Sequence, residues 1–366
     1  MKPTFVYTIC VVFVFCEVLL LYSSFSYTEN SNFSNVQDYK YEIIEEKSES
    51  GIKLNGKSNV TYNFVYSEKE LRRVIENIHK TAVDKNRQDN AAEKCTKQLP
   101  KVLVLGVWKC GTREIADFIS MNPDIVVKTD PYELNYFLKE NPKDIGYSKY
   151  KEMMPCSNKD QLTMVKNPWY FKSGDIAARI QRFNTSLKMI VLIREPVARL
   201  LSSITFQSVN YPQKIIKNMT HSFMTEVFTQ NGEISIDNKH VKYSRYVDGY
   251  KQYAKYFNMS QILFIDAMDF KQKPFVVLRE VERFLGLKHF ISESHFVYNP
   301  EKKFFCVRDP SSSTSTVTGF CFQGDRGRVN VSNTINITPE THQRLREYYK
   351  PYNEEFFDLI GRRLDW

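Results

Sequence analysis

Histidine is scarce in this chain: only six occur in 366 residues. No Cys/His cluster has the spacing of a zinc site, so metal chemistry is not expected. There is no internal repeat, which excludes solenoid and propeller architectures. Beyond the first thirty residues no second hydrophobic run reaches membrane-spanning length, so a polytopic membrane protein is excluded. Acidic residues are outnumbered, 42 against 51 Lys and Arg, for a net charge of +9 spread along the chain. Such a balance suits an acidic partner (nucleic acid, membrane surface or sulfated polysaccharide) without choosing among them.

What is present begins with the N-terminus. Thr4 to Tyr27 is almost wholly apolar, long enough to cross a hydrocarbon core of ~30 Å as a helix. With Lys2 before it, residues 1–27 read as a short cytoplasmic tail and signal anchor, with the body on the far side of the membrane. Glu17 is costly in mid-span, and Ser24 and Ser26 offer small residues to a signal peptidase, so a cleaved signal is the alternative. Either way the body is exported, which removes nucleic acid as a partner. Sequons at Asn32, Asn59, Asn184, Asn218, Asn258, Asn330 and Asn336 agree with export. Outside the span remain five cysteines, an odd number, so at least one of them is a free thiol or bonds another chain. Cys306 and Cys321 flank a loop rich in Ser and Thr and are the expected disulfide, which would restrict the unfolded chain. The free thiol then falls among Cys95, Cys110 and Cys156.

Residues 28–97 are rich in Asn, Ser, Lys and Glu and lack a sustained apolar period. That is the composition of a luminal stem, with at most a short helix around Glu68–Asn77. From Gln98 the texture changes. Lys101–Gly106, Leu162–Val165, Lys188–Ile193 and Ile262–Ile265 are short apolar runs of strand type. Amphipathic helices are expected from Glu114, after Pro196 (where a proline suits a helix N-terminus) and over Pro274–Leu287. Strand–loop–helix repetition indicates an α/β fold over 98–366, a single domain with a central, mainly parallel β-sheet flanked by helices.

Two segments point to anion binding. Gly106-Val-Trp-Lys109-Cys-Gly111-Thr112-Arg113 lies between a strand and a helix, where backbone N–H groups and the helix dipole favour negative charge. Here the lysine precedes the glycine, whereas a Walker A loop ends in Gly-Lys-Ser/Thr, so nucleotide hydrolysis at this loop is not expected. In Arg194-Glu-Pro-Val-Ala-Arg199-Leu-Leu-Ser202, a guanidinium at a strand end and a hydroxyl two helical turns on can hold a second phosphate.

Together these segments resemble the sulfotransferase superfamily, in detail the heparan sulfate glucosamine 3-O-sulfotransferases, over about Gln98 to Trp366. Lys109-Cys-Gly-Thr-Arg113 is similar to the family's 5′-phosphosulfate loop. Ile193-Arg-Glu-Pro196 with Ser202 resembles its 3′-phosphate site, and Glu133-Leu-Asn-Tyr-Phe137 its catalytic glutamate with paired aromatics. Val281-Glu-Arg-Phe-Leu285, Phe305-Cys-Val-Arg-Asp309 with Cys321, Arg326-Gly-Arg328 and the closing Gly361-Arg-Arg-Leu-Asp-Trp366 are similar too.

The resemblance implies a P-loop-like sulfotransferase domain that moves a sulfuryl group from 3′-phosphoadenosine 5′-phosphosulfate onto the 3-hydroxyl of glucosamine in heparan sulfate. No metal is implied. Glu133 would take the acceptor proton, and Lys109 and Lys166 would meet charge on the leaving oxygen. Lys109, Cys110, Gly111, Thr112 and Arg113 would form the 5′ cradle, and Arg194 and Ser202 the 3′-phosphate site. Arg326, Gly327 and Arg328 would close over the nucleotide. The implied setting is a type II protein of the Golgi membrane. Cys110 stands in place of a family glycine, Asn135 of a histidine, Leu138 of an aspartate and Val165 of a glutamate. The acceptor side therefore departs more than the donor side. Transfer to another position, N-sulfation included, and a heparan-binding protein without turnover are the alternative readings.

Overall fold

The computed structural model describes residues 61–86, 95–129, 133–139, 146–210, 219–321 and 335–366. Residues 1–60, with the apolar N-terminal segment, and Arg326, Gly327 and Arg328 lie outside the described residues. Among the described residues no helix is long and apolar enough to cross a membrane.

Strands are numbered in chain order: β1 Thr61–Val65, β2 Thr96–Lys97, β3 Val102–Gly106, β4 Ile125–Val127, β5 Cys156–Ser157 and β6 Leu162–Lys166. β7 Lys188–Ile193, β8 Ile262–Asp266, β9 Phe296–Asn299, β10 Phe304–Arg308 and β11 Thr316–Phe320 follow. Five of them make one sheet in the order β4-β6-β3-β7-β8, with every neighbouring pair parallel. Its central strands are buried along nearly their whole length, β3 without exception. Continuous Val/Ile/Leu runs are what a parallel sheet covered on both faces requires. The helix Thr112–Ile119 packs on β3, β4 and β6 and against helix Pro274–Leu285. Helix Gly174–Phe183 packs with Tyr246–Tyr253, which in turn meets the long helix Pro339–Ile360.

A second sheet has the order β1-β11-β10-β9, with β1 parallel to β11 and the other pairs antiparallel. β1 comes from the region that composition assigns to the stem. The helix after it, Glu68–Asn86, outruns the short helix expected there. Its Leu71, Val74, Ile75 and Ile78 are buried in the same core as the parallel sheet. The segment is polar on average, but these four fall at the i, i+3, i+4, i+7 spacing that puts them on one helix face. Residues 61–86 are thus part of the folded body.

Cys306 in β10 and Cys321 just after β11 form a disulfide across a 15-residue separation. A second bridge, Cys95–Cys156, ties the residue before β2 to β5. Cys110 is left as the free thiol, and it is buried.

Candidate active site

In the order β4-β6-β3-β7-β8 the chain leaves β3 for one side and returns through β7 on the other, so β3 marks the switch point of the sheet. Loops after parallel strands converge there, and ligands bind at their carboxyl ends. The loop after β3 supplies Lys109 to Arg113, the end of β6 supplies Lys166, and the end of β7 leads into Arg194.

The loop after β3 is held by close approach. A Cβ on Gly106, at φ +145°, would stand 2.7 Å from the Pro168 carbonyl oxygen, so only glycine fits. Lys109 and Gly111 both have positive φ, 72° and 85°, on either side of Cys110. This folds the loop back onto the first turn of Thr112–Ile119, whose leading N–H groups have no partner within the helix. Gly111 is the N-cap residue and offers no side-chain cap, leaving that end open to an anion.

Buried polar bonds fix the loop from below. Arg199, fully buried, donates to Ser244 Oγ at 2.7 Å, to the His240 carbonyl at 2.5 Å and to the Trp108 carbonyl at 3.5 Å. Tyr246 Oη donates to the Arg194 carbonyl at 2.7 Å, accepts from the Arg194 N–H at 3.2 Å, and meets Cys110 Sγ at 3.9 Å. The loop after β3 and the turn after β7 therefore share one scaffold. Arg199 appears in the quoted motif but carries no role that its spacing reveals; only the fold shows what it reaches.

Lys109 lies with Nζ 4.0 Å from the Phe206 ring centroid. Burial, and then the neighbouring Arg194 charge, pull its pKa down to about 8, with Glu114 opposing. The Cys110 thiol is pushed up to about 11 by burial. Thr112 and Ser202 are both buried, Ser202 on the helix Pro196–Asn210 that follows Arg194. Arg113 pairs with Glu68, and its Nε lies 3.8 Å from Asp117 Oδ2, so its guanidinium ties the N-terminal helix to the loop.

Glu133 and Lys166 meet directly. Lys166 Nζ donates to Glu133 Oε1, and the two residues form a parallel backbone bridge at the end of β6. The lysine side chain is 4% exposed and the carboxylate 36%, so the ammonium lies beneath and the carboxylate faces outward. Asn167 holds the segment that carries Glu133: its amide donates to the Leu134 carbonyl at 3.0 Å and to Asn135 Oδ1 at 2.9 Å. Lys109, Cys110, Gly111, Thr112, Arg194, Ser202, Glu133 and Lys166 thus come from the strand ends and from the loops and helices that follow them, while Arg113 is turned to Glu68.

A parallel α/β sheet with a glycine-bearing loop and an open helix N-terminus at its switch point, an arginine after the neighbouring strand, and a carboxylate paired with a buried lysine suits the handling of anionic groups. Residues 99–357 match the family model described as "Sulfotransferase domain", and the chain belongs to that family. Over 271 residues it is 28% identical to heparan sulfate glucosamine 3-O-sulfotransferase 5 of Homo sapiens, covering 74% of each chain. Over 275 residues it is 30% identical to heparan sulfate glucosamine 3-O-sulfotransferase 3B1 of Mus musculus, covering 74% of this chain and 66% of that one. Among solved structures, a sulfotransferase from Alicyclobacillus acidocaldarius shares the fold, with a TM-score of 0.52 and 17% identity, covering 73% of this chain and 98% of the other.

Proposed function

We propose that the chain transfers a sulfuryl group from 3′-phosphoadenosine 5′-phosphosulfate to the 3-hydroxyl of glucosamine in heparan sulfate. The observation that carries the reading is the Glu133–Lys166 pair at the end of the strand beside β3, in a chain similar to named 3-O-sulfotransferases. The donor brings a sulfuryl group activated by its bond to phosphate. Lys109, Thr112 and the first-turn N–H groups would hold its 5′ end, and Arg194 and Ser202 its 3′-phosphate. This donor set is chemically matched to two separate anions. Glu133 would accept the proton of the attacking hydroxyl at its carboxylate. Lys166, a compact ammonium fixed by that carboxylate, would orient it and, with Lys109, meet the negative charge gathering on the leaving oxygen.

The body would work in the Golgi lumen, held by residues 1–27 as a type II anchor. Support comes from the apolar run Thr4–Tyr27, from two disulfides of the kind an oxidising compartment sustains, and from sequons at the exposed Asn258 and Asn336.

The test is transfer of radiolabelled sulfate from the donor to heparan sulfate by a chain beginning at residue 60, with Glu133→Gln alongside. Label at the glucosamine 3-hydroxyl that disappears in the variant supports the reading. Label at the amino group moves the acceptor to N-sulfation. Binding of donor and heparin with no transfer to any glycan overturns the catalytic reading.

A further inference from the structure

A cavity of about 330 Å³ opens beside the anion loop. Trp108, Trp169 and Tyr243 line it, and none of them is fully buried. The Trp108 and Trp169 rings stack with centroids 4.7 Å apart and planes at 29°. Tyr243 stands 5.6 Å from Trp169, inclined at 58°. Phe206 meets Trp108 edge-on at 5.6 Å, and the opposite role of the same ring is to carry the Lys109 ammonium. The aromatic wall and the catalytic loop are therefore one continuous surface.

The rim is cationic. Lys172, Lys239, Lys242 and Arg245 line the cavity against two carboxylates, Asp237 and Asp248. Both carboxylates are already paired, Asp237 with Lys242 at 2.9 Å and Asp248 with Arg245 at 2.7 Å. The surplus positive charge is that of Lys172 and Lys239, both exposed. A second cavity, of about 410 Å³, shares Lys172, Ser173 and Asp248 with the first and extends the groove away from the loop.

A large apolar ring wall and a cationic rim select a ligand with both characters. A pyranose ring offers a C–H face of partial positive charge, which suits the negative face of an indole. Sulfate and carboxylate groups at its edges suit ammonium partners. The adenine of the donor also stacks on aromatic rings, but Arg194 and Ser202, assigned to the nucleotide's 3′-phosphate, are not among the residues lining this cavity. We infer that Trp108, Trp169 and Tyr243 form a sugar-stacking subsite of the acceptor groove, in which Lys172 and Lys239 hold anionic groups of the glycan. The inference rests on the reading above that the acceptor is a sulfated glycan, and it assigns the surface that grips a residue next to the modified one.

The experiment compares the chain from residue 60 with Trp169→Phe, Trp169→Ala and the double variant Lys172→Ala/Lys239→Ala. Readouts are KM and kcat for a heparan sulfate oligosaccharide, affinity for adenosine 3′,5′-bisphosphate by calorimetry, and tryptophan emission on titrating a heparin hexasaccharide. The inference expects KM to rise tenfold or more in Trp169→Ala and in the lysine pair, with kcat within threefold and nucleotide affinity within twofold. It also expects the hexasaccharide to change the wild-type emission and to do so far less in Trp169→Phe. Should Trp169→Ala not fold, the exposed lysine pair and the conservative Trp169→Phe still decide. An active enzyme whose KM is unmoved in the lysine pair and whose emission ignores the hexasaccharide overturns the subsite but leaves the 3-O-sulfotransferase reading intact. Loss of nucleotide affinity in the folded Trp169→Phe assigns the aromatic wall to the donor and overturns it as well. A wild-type chain that sulfates no glycan overturns the functional reading first, and the subsite with it.

Discussion

The Glu133 carboxylate accepts a hydrogen bond from the buried Lys166 ammonium, and the two residues are also backbone neighbours at the end of β6. A carboxylate held this way has a fixed direction. If Glu133 is the base, Glu133→Gln keeps the shape and loses the proton acceptor. The expected result is a fall in kcat of about 10²–10⁴-fold, with affinity for adenosine 3′,5′-bisphosphate little changed. Steady-state kinetics and calorimetry on the same preparation check both halves.

Lys109 sets a pH dependence. Its pKa is lowered from an ordinary value of 10.5 to about 8, chiefly by burial. A bound phosphate favours the ammonium, so binding takes up a proton once the pH exceeds about 8. Nucleotide affinity is then expected to fall above that point, by at most about tenfold per pH unit. Stability runs the other way. Between about 8 and 10.5 the unfolded chain holds the proton that the folded one releases, so this group's contribution to stability rises with pH. Calorimetry from pH 6.5 to 9.5 should show the decline in wild type and a flatter, weaker profile in Lys109→Met.

Removing the N-terminal helix should cost the fold. A chain starting at residue 98 loses β1, the edge partner of β11, and exposes the core against which Leu71, Val74, Ile75 and Ile78 pack. Burial of such side chains contributes about 1.5 kcal/mol or more each, and the Arg113–Glu68 pair beside the anion loop goes too. The expected outcome is an aggregated or strongly destabilised product, against a cooperative thermal transition for the chain from residue 60. Equal melting temperatures for the two would contradict the packing described.

The thiols give a fourth check. Cys110 is buried beside Tyr246, and its pKa is raised to about 11. At pH 8 the folded chain from residue 60 should show no rapidly reacting thiol toward a colorimetric disulfide reagent, and one after unfolding. Replacing both Cys95 and Cys156 by Ser opens a bridge across a 61-residue separation, which by loop entropy costs about 4 kcal/mol. The shorter Cys306–Cys321 bridge should cost about 3 kcal/mol, and denaturant titration of each variant ranks the two.

Four of the five parallel strands are legible in the sequence, whereas the edge strand Ile125–Val127 is only three residues long and carries no period. Val102–Gly106, Leu162–Lys166, Lys188–Ile193 and Ile262–Asp266 are dominated by apolar residues, as both faces of a covered sheet demand, with polar residues mainly at their ends. The antiparallel strands β9 to β11 carry no such signal. Phe296–Asn299 is four residues long and Thr316–Phe320 mixes Thr and Gly with apolar residues, so neither carries a clear period. The helix Glu68–Asn86 is longer than its composition suggests, because its mean polarity hides a narrow apolar stripe.

The α/β class and the glycine-bearing loop after β3 are legible in the sequence because each depends on residues close together in the chain, whereas Glu133 and Lys166 are marked as candidate base and cation only by the family resemblance. The tertiary structure alone decided that Lys166 lies under Glu133, that Arg199 reaches the Trp108 carbonyl, and that Arg113 is taken by Glu68. It also decided which cysteine is free and brought Trp108 against Trp169 to wall a groove. Those relationships join residues far apart in the chain, and only the order of strands in the sheet sets the distances between them.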